Sequence, residues 1–153
     1  MKDTRKLVVS AVTAALYAGL TIALAPISYG AIQFRVAEAL CVLPFLIPET
    51  ALGLFVGCLL ANLMTGNVVD IIFGSLATLL AGVITSKMKR PWQACLPPIL
   101  CNAMIVGAVL SEAYGIGNFW ICAGQVGLSE ALVMFILGLP LLMWLSKKEN
   151  LYK

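Results

Sequence analysis

The 153-residue sequence contains no histidine. Without an imidazole, no histidine can serve as general base, as partner of a nucleophilic serine or cysteine, or as a metal ligand. Charged residues are scarce as well, at 11% of the chain against about 25% in a soluble domain. The five cysteines, Cys41, Cys58, Cys95, Cys101 and Cys122, are scattered with no C-x-x-C spacing. That excludes a zinc ribbon or a c-type haem attachment and leaves packing within apolar runs as their expected role. No G-x-x-x-x-G-K-[ST] is present, so the chain has no P-loop with which to hydrolyse ATP. No nucleophile–base or metal-ligating constellation emerges, and the reading is of a non-enzyme that needs no metal or cofactor.

Apolar residues are what the chain has in abundance: 61% of the sequence, with a mean hydropathy of +1.01. A soluble protein of this size could not hide that much apolar surface behind so few polar groups. The expectation is a single all-α integral membrane domain over residues 1–153, with lipid as its main solvent. A crossing needs about 20 mostly apolar residues. Runs of that kind fall at residues 7–25, 32–47, 49–64, 68–86, 94–110 and 119–145, which predicts a bundle of six transmembrane helices. The first run follows a basic start but is too long for a signal peptide and lacks a compact cleavage site, so it reads as an uncleaved span. No extramembrane domain, linker or internal repeat is expected.

The charges test that count. Six crossings place both termini on one side, where lysine and arginine should collect. Nine of the ten basic residues fall there: Lys2, Arg5 and Lys6, then Lys87, Lys89 and Arg90, then Lys147, Lys148 and Lys153. A five-helix reading would leave one cluster outside. Both termini are therefore expected in the cytoplasm, in a multi-pass protein of the cell membrane. The net charge of +3 is a consequence of topology and implies no nucleic-acid partner.

The tenth basic residue is the exception. Arg35 lies about one turn into the second apolar run, with Glu38 three residues later on the same helical face. Ionisable groups at membrane depth face a partner or a cavity. A self-neutralising pair that anchors the helix end is one reading, and contact with a ligand is the other. Gln33 and Phe34 add an amide and a ring beside them. Asp70 and Glu130 join Glu38 in the outer half, and Asn62, Asn102 and Trp120 add hydrogen-bonding and stacking groups. Asp70 could equally be a helix N-terminal charge, and Asn102 an interhelical hydrogen bonder. Glu112 reads as solvated, next to a loop. The polar residues crowd one half of the bundle, which points to an outward-facing pocket for a small, flat, hydrogen-bonding solute. No polar lining runs the whole way through, as a pore would require.

The first helix carries small residues at i, i+4 spacing. Ala11 pairs with Ala15, and Ala14 pairs with Ala18. Such faces let another helix approach closely in lipid, either inside the bundle or from a separate membrane subunit. On the residues alone, two classes of function stay open. One is a binding subunit that borrows its motor, and the other is a stand-alone small-solute carrier.

Three segments resemble the QueT family: GAIQFRVAEALCVLPF at residues 30–45, GLFVGCLLAN at 53–62 and DIIFGSLATLL at 70–80. The helices of Asn102 and Glu130 are similar to it less specifically, and the likeness covers nearly the whole chain. The resemblance implies a substrate-binding S component of an energy-coupling-factor (ECF) transporter. It implies uptake of queuosine precursors, deazaguanine bases such as queuine, with S components for other vitamins or nucleobases as the neighbouring possibility. It also implies docking through a first-helix A-x-x-x-A motif, in either alanine register, onto a transmembrane coupling subunit driven by a pair of cytoplasmic ATPases. Glu38, Asp70 and Glu130 are then the candidates for the bidentate acceptor of a deazaguanine edge, with Arg35 or Gln33 donating to its carbonyl or orienting the acid.

Overall fold

The computed structural model describes residues 2–28 and 34–149, and all the regular elements in them are helical. Helix α1 (Lys2–Ala23) leads into the short α2 (Ala25–Ser28). Pro26 lies in the first turn of α2, where its missing N–H costs nothing. A 3-10 helix follows at Val36–Phe45, then α3 (Thr50–Leu63) and α4 (Ser75–Thr85), which is entered through a π-turn at Asp70–Gly74. After the basic loop, a 3-10 turn at Pro91–Cys95 opens α5 (Leu96–Ala108), which ends in a π-turn at Val109–Ala113. Helices α6 (Phe119–Val133) and α7 (Leu139–Glu149) are joined by a third π-turn at Met134–Gly138.

Three stretches are long and apolar enough to cross a bilayer: Thr4–Ala23, Pro91–Ala113 and Phe119–Lys148. Three further apolar helical segments are shorter: Val36–Phe45, Thr50–Leu63 and Asp70–Thr85. The order of apolar segments matches the sequence reading, but the second differs from it in kind. Instead of a helix over residues 32–47, the described part is a 10-residue 3-10 helix that contains Pro44. Proline removes a backbone donor there and disfavours α geometry at Leu43. The last segment also differs. No break separates a lead-in from a crossing, and Phe119–Lys148 forms one apolar helical stretch of 30 residues.

The bundle is apolar outside, and its interior combines apolar packing with buried polar groups. Leu7, Leu52, Met64, Leu100, Leu128 and Ile136 point outward, while Thr13, Thr21, Thr78 and Ser129 are buried. Those hydroxyls donate to carbonyls of their own helices, Thr13 to Val9 at 2.8 Å and Thr21 to Tyr17 at 2.8 Å. Such back-bonding meets their needs without water. Tyr17, Cys41, Val42, Leu54, Cys58, Cys95, Met134 and Leu142 build the packed centre. Four of the five cysteines are buried there or nearby, and all five are free thiols.

Two helix pairs set the geometry of the interior. Helices α1 and α3 approach so closely that a Cβ on Gly53 would collide with the Ser10 carbonyl oxygen. A Cβ on Gly57 would lie 2.7 Å from that of Ala14. Helices α5 and α6 meet in the same way, with a Cβ on Gly107 placed 2.8 Å from Ala123 Cα. Glycine is required at these crossings because nothing larger fits.

Candidate functional site

The 3-10 geometry of Val36–Phe45 organises the site. In such a helix, side chains at i and i+3 eclipse one another, so Glu38, Cys41 and Pro44 stack in one row, and Arg35 precedes them at the extended N-cap. All four are buried. Glu38 is held from two sides: its Oε1 accepts from the Tyr17 hydroxyl of α1, and its Oε2 accepts from the Cys41 thiol at 2.9 Å. Across from this row, Asn102 of α5 donates its Nδ2 to Glu130 Oε1 of α6 at 3.0 Å. The glycine contacts between α5 and α6 bring the two helices close enough for that bond. Glu130 lines the same hollow as Glu38 and Arg35.

Arg35, Glu38, Asn102 and Glu130 thus come together around one small hollow, closed on its apolar side by Val106 and Val126. The hollow has a volume of about 10 Å³, room for about one water. A cation, two carboxyls and an amide gathered in a lipid-surrounded interior are costly unless they serve each other or a ligand. Chemically, the set offers a donor fork from Arg35, two carboxyl acceptors and an amide with both functions.

The remaining sequence candidates lie elsewhere. Asp70 is half-buried, and its Oδ2 accepts from the Tyr114 hydroxyl at 2.9 Å. Burial, helped by the Asp70 carboxylate, pushes the Tyr114 phenol up to about 12, so it stays a donor. Asn62 is fully buried between α3 and the first π-turn, donating to the Asp70 carbonyl at 3.0 Å and to Cys58 Sγ at 3.4 Å. The lack of a side chain at Gly74 leaves room for that amide, since a Cβ there would lie 2.9 Å from Asn62 Nδ2. Trp120 is 75% exposed and packs edge-on to Phe119 at 5.0 Å between ring centres. Phe34 is half-buried beside Arg35, and Gln33 lies outside the described residues. Glu112 is exposed, as the sequence suggested.

Tyr17 and Cys41 were missed by the sequence reading. The signal for Cys41 was its spacing of three from Glu38, visible only once the period is known to be three. The signal for Tyr17 was a phenol among small apolar residues at mid-helix, which needs a partner when buried.

The alanines of α1 separate into two faces. Ala14 and Ala18 are buried, with Ala14 in the seam with α3, whereas Ala11 and Ala15 are exposed.

A curated relative, "Queuosine precursor transporter QueT" of Lactococcus lactis subsp. cremoris (strain MG1363), is 41% identical over 78 residues. The match covers 50% of this chain and 46% of that protein, so it spans about half of the curated relative. No solved structure matches the chain. The profile of the QueT transporter family matches residues 7–147, nearly the full length, and the chain belongs to that family.

Proposed function

We propose that the chain is the substrate-binding S component of an ECF-type transporter that takes up queuosine precursors, deazaguanine bases such as queuine. The observation that carries this reading is the enclosed Arg35–Glu38–Asn102–Glu130 cluster in a chain of the QueT transporter family. A deazaguanine presents a ring N–H and an exocyclic amine side by side, and one carboxylate accepts both as a charge-assisted pair. Glu38 or Glu130 fills that role. Asp70 is the weaker candidate, because it lies outside the hollow that Arg35, Glu38, Asn102 and Glu130 line. Arg35 or Asn102 then donates to the ring carbonyl. With a hollow of about 10 Å³, far below the roughly 300 Å³ of a small-molecule site, a base enters only when the 3-10 helix and the α5–α6 pair move apart.

In this reading all six apolar segments span the membrane, with both termini in the cytoplasm. The exposed Ala11/Ala15 face of α1 docks on the coupling subunit, and two cytoplasmic ATPases supply the energy. The Ala14/Ala18 register is already occupied by internal packing. The test is calorimetry and thermal shift on the detergent-purified protein with queuine, its aminomethyl-deazaguanine precursor and guanine. Deazaguanine binding that drops at least tenfold in both Glu38→Gln and Glu130→Gln is the expected result. Absence of heat and of thermal stabilisation with every deazaguanine would remove the substrate assignment. Uptake by the reconstituted chain alone, without coupling subunits, would favour a stand-alone carrier.

A further inference from the structure

At the end of the bundle that carries the basic residues, the N-terminal turns of α1, the end of the 3-10 helix and the C-terminal part of α7 enclose a groove of about 710 Å³. Its walls are apolar, formed by Val9, Leu43, Leu46, Ile47, Pro48 and Leu145. Its rim is charged, with Arg5, Lys6 and Lys148 set against a single carboxylate, Glu49, and Lys6 pairs with that carboxylate. The volume is that of a small-molecule site. The groove thus combines hydrocarbon walls with an excess of positive charge, three cations against one carboxylate. A water-soluble solute gains little from such walls, and a neutral lipid gains little from such a rim. The two properties together match an amphiphile with an acyl chain and an anionic head.

We infer that this groove is a binding site for an anionic phospholipid, with the acyl chain along Leu43, Leu46 and Leu145 and the phosphate at Arg5 and Lys148. Basic pockets between transmembrane helices at the membrane surface hold anionic headgroups in this way. General attraction of a positive protein end to a negative leaflet would not require a cavity. The third basic cluster, Lys87, Lys89 and Arg90, has as many cations and lies outside the groove. It is therefore the internal control.

The experiment is thermal shift and native mass spectrometry of the full chain in dodecylmaltoside, titrated with dioleoylphosphatidylglycerol, dioleoylphosphatidylcholine or inorganic phosphate. Phosphatidylglycerol should stabilise the protein and be retained as one adduct, and the other two additives should not. The affinity should fall about fivefold for each cation removed, hence about 25-fold in Arg5→Gln/Lys148→Gln. It should be unchanged in Lys87→Gln/Lys89→Gln. Ile47→Trp, at a partly exposed wall position, should block the adduct with every charge intact. Equal stabilisation by both lipids, or an equal fall in both double variants, would overturn the site, as would full reproduction of the effect by phosphate alone. A groove that serves a protein segment instead would show no preference for phosphatidylglycerol, which is also a negative result.

Discussion

At the level of single residues, the interior rests on hydrogen bonds to buried carboxyls. Glu38 takes one bond from Tyr17 and one from Cys41, and Glu130 takes one from Asn102. Deleting one donor leaves a buried acceptor unsatisfied, at a cost of about 1–3 kcal/mol. Tyr17→Phe should therefore lower the melting temperature in detergent although it removes a single oxygen. Asn102→Asp should destabilise more than Asn102→Ala, because it sets a third carboxyl against Glu130 in place of a donor. A melting series in which the Asp variant matches or exceeds the Ala variant would contradict the assigned contact. Arg35, Glu38, Asn102 and Glu130 were legible in the sequence because each interrupts an apolar run and must be accounted for there. Asn62, Asp70 and Trp120 were grouped with them by residue type and by their place in the outer half, and neither says which neighbour a side chain meets. The surface pair behaves differently. The Lys6 ammonium holds the Glu49 carboxyl below its ordinary value of 4.5. The pair therefore contributes stability above that value and loses it as the pH falls through the lowered one. The effect should be small, as for exposed ion pairs, and absent in Lys6→Gln when melting is followed from pH 6 to 3.

At the level of elements, close crossings separate structural faces of α1 from free ones. Gly57→Leu should disrupt the α1–α3 seam, since even a Cβ there meets the Ala14 carbonyl at 2.7 Å and Tyr17 Cβ at 2.8 Å. A loss of more than about 1–3 kcal/mol is expected, the usual range for overpacking, with substrate binding lost along with the fold. Ala15→Trp projects from an exposed position and should leave melting and deazaguanine binding unchanged while abolishing uptake in cells that express the whole transporter. Unchanged uptake would remove the docking assignment and leave the binding site standing. Hydropathy located the apolar segments because lipid imposes length and composition on each of them. It could not reveal the 3-10 character of Val36–Phe45. With Glu38 as the one polar residue in that stretch, periods of 3.0 and 3.6 look alike, and only Pro44 hinted at the difference. The three π-turns left no sequence trace for a similar reason, since one extra residue in a helical turn changes no residue type.

At the level of the whole molecule, the distribution of basic residues and the positions of the helices make one prediction about sidedness. Residues 87–90 and the end of α7 carry cationic clusters, and the loop between the π-turn at Val109–Ala113 and α6 carries none. Under the positive-inside rule the clusters stay in the cytoplasm. Single cysteines can read this directly, because Cys41, Cys58, Cys95 and Cys122 are buried and a Cys101→Ser background removes the partly accessible thiol. Ile116→Cys, at a position 65% exposed, should react with a membrane-impermeant maleimide on intact cells. Lys89→Cys and Lys147→Cys, both exposed, should react only after permeabilisation. Labelling of Lys147→Cys but not Lys89→Cys on intact cells would mean an odd number of crossings after the basic loop, and a short apolar segment would then have to lie within the interface. Labelling of both, with Ile116→Cys protected, would invert the protein. The Arg35–Glu38–Asn102–Glu130 hollow could then still open, but the Ala11/Ala15 face would run the opposite way through the bilayer relative to any cytoplasmic motor.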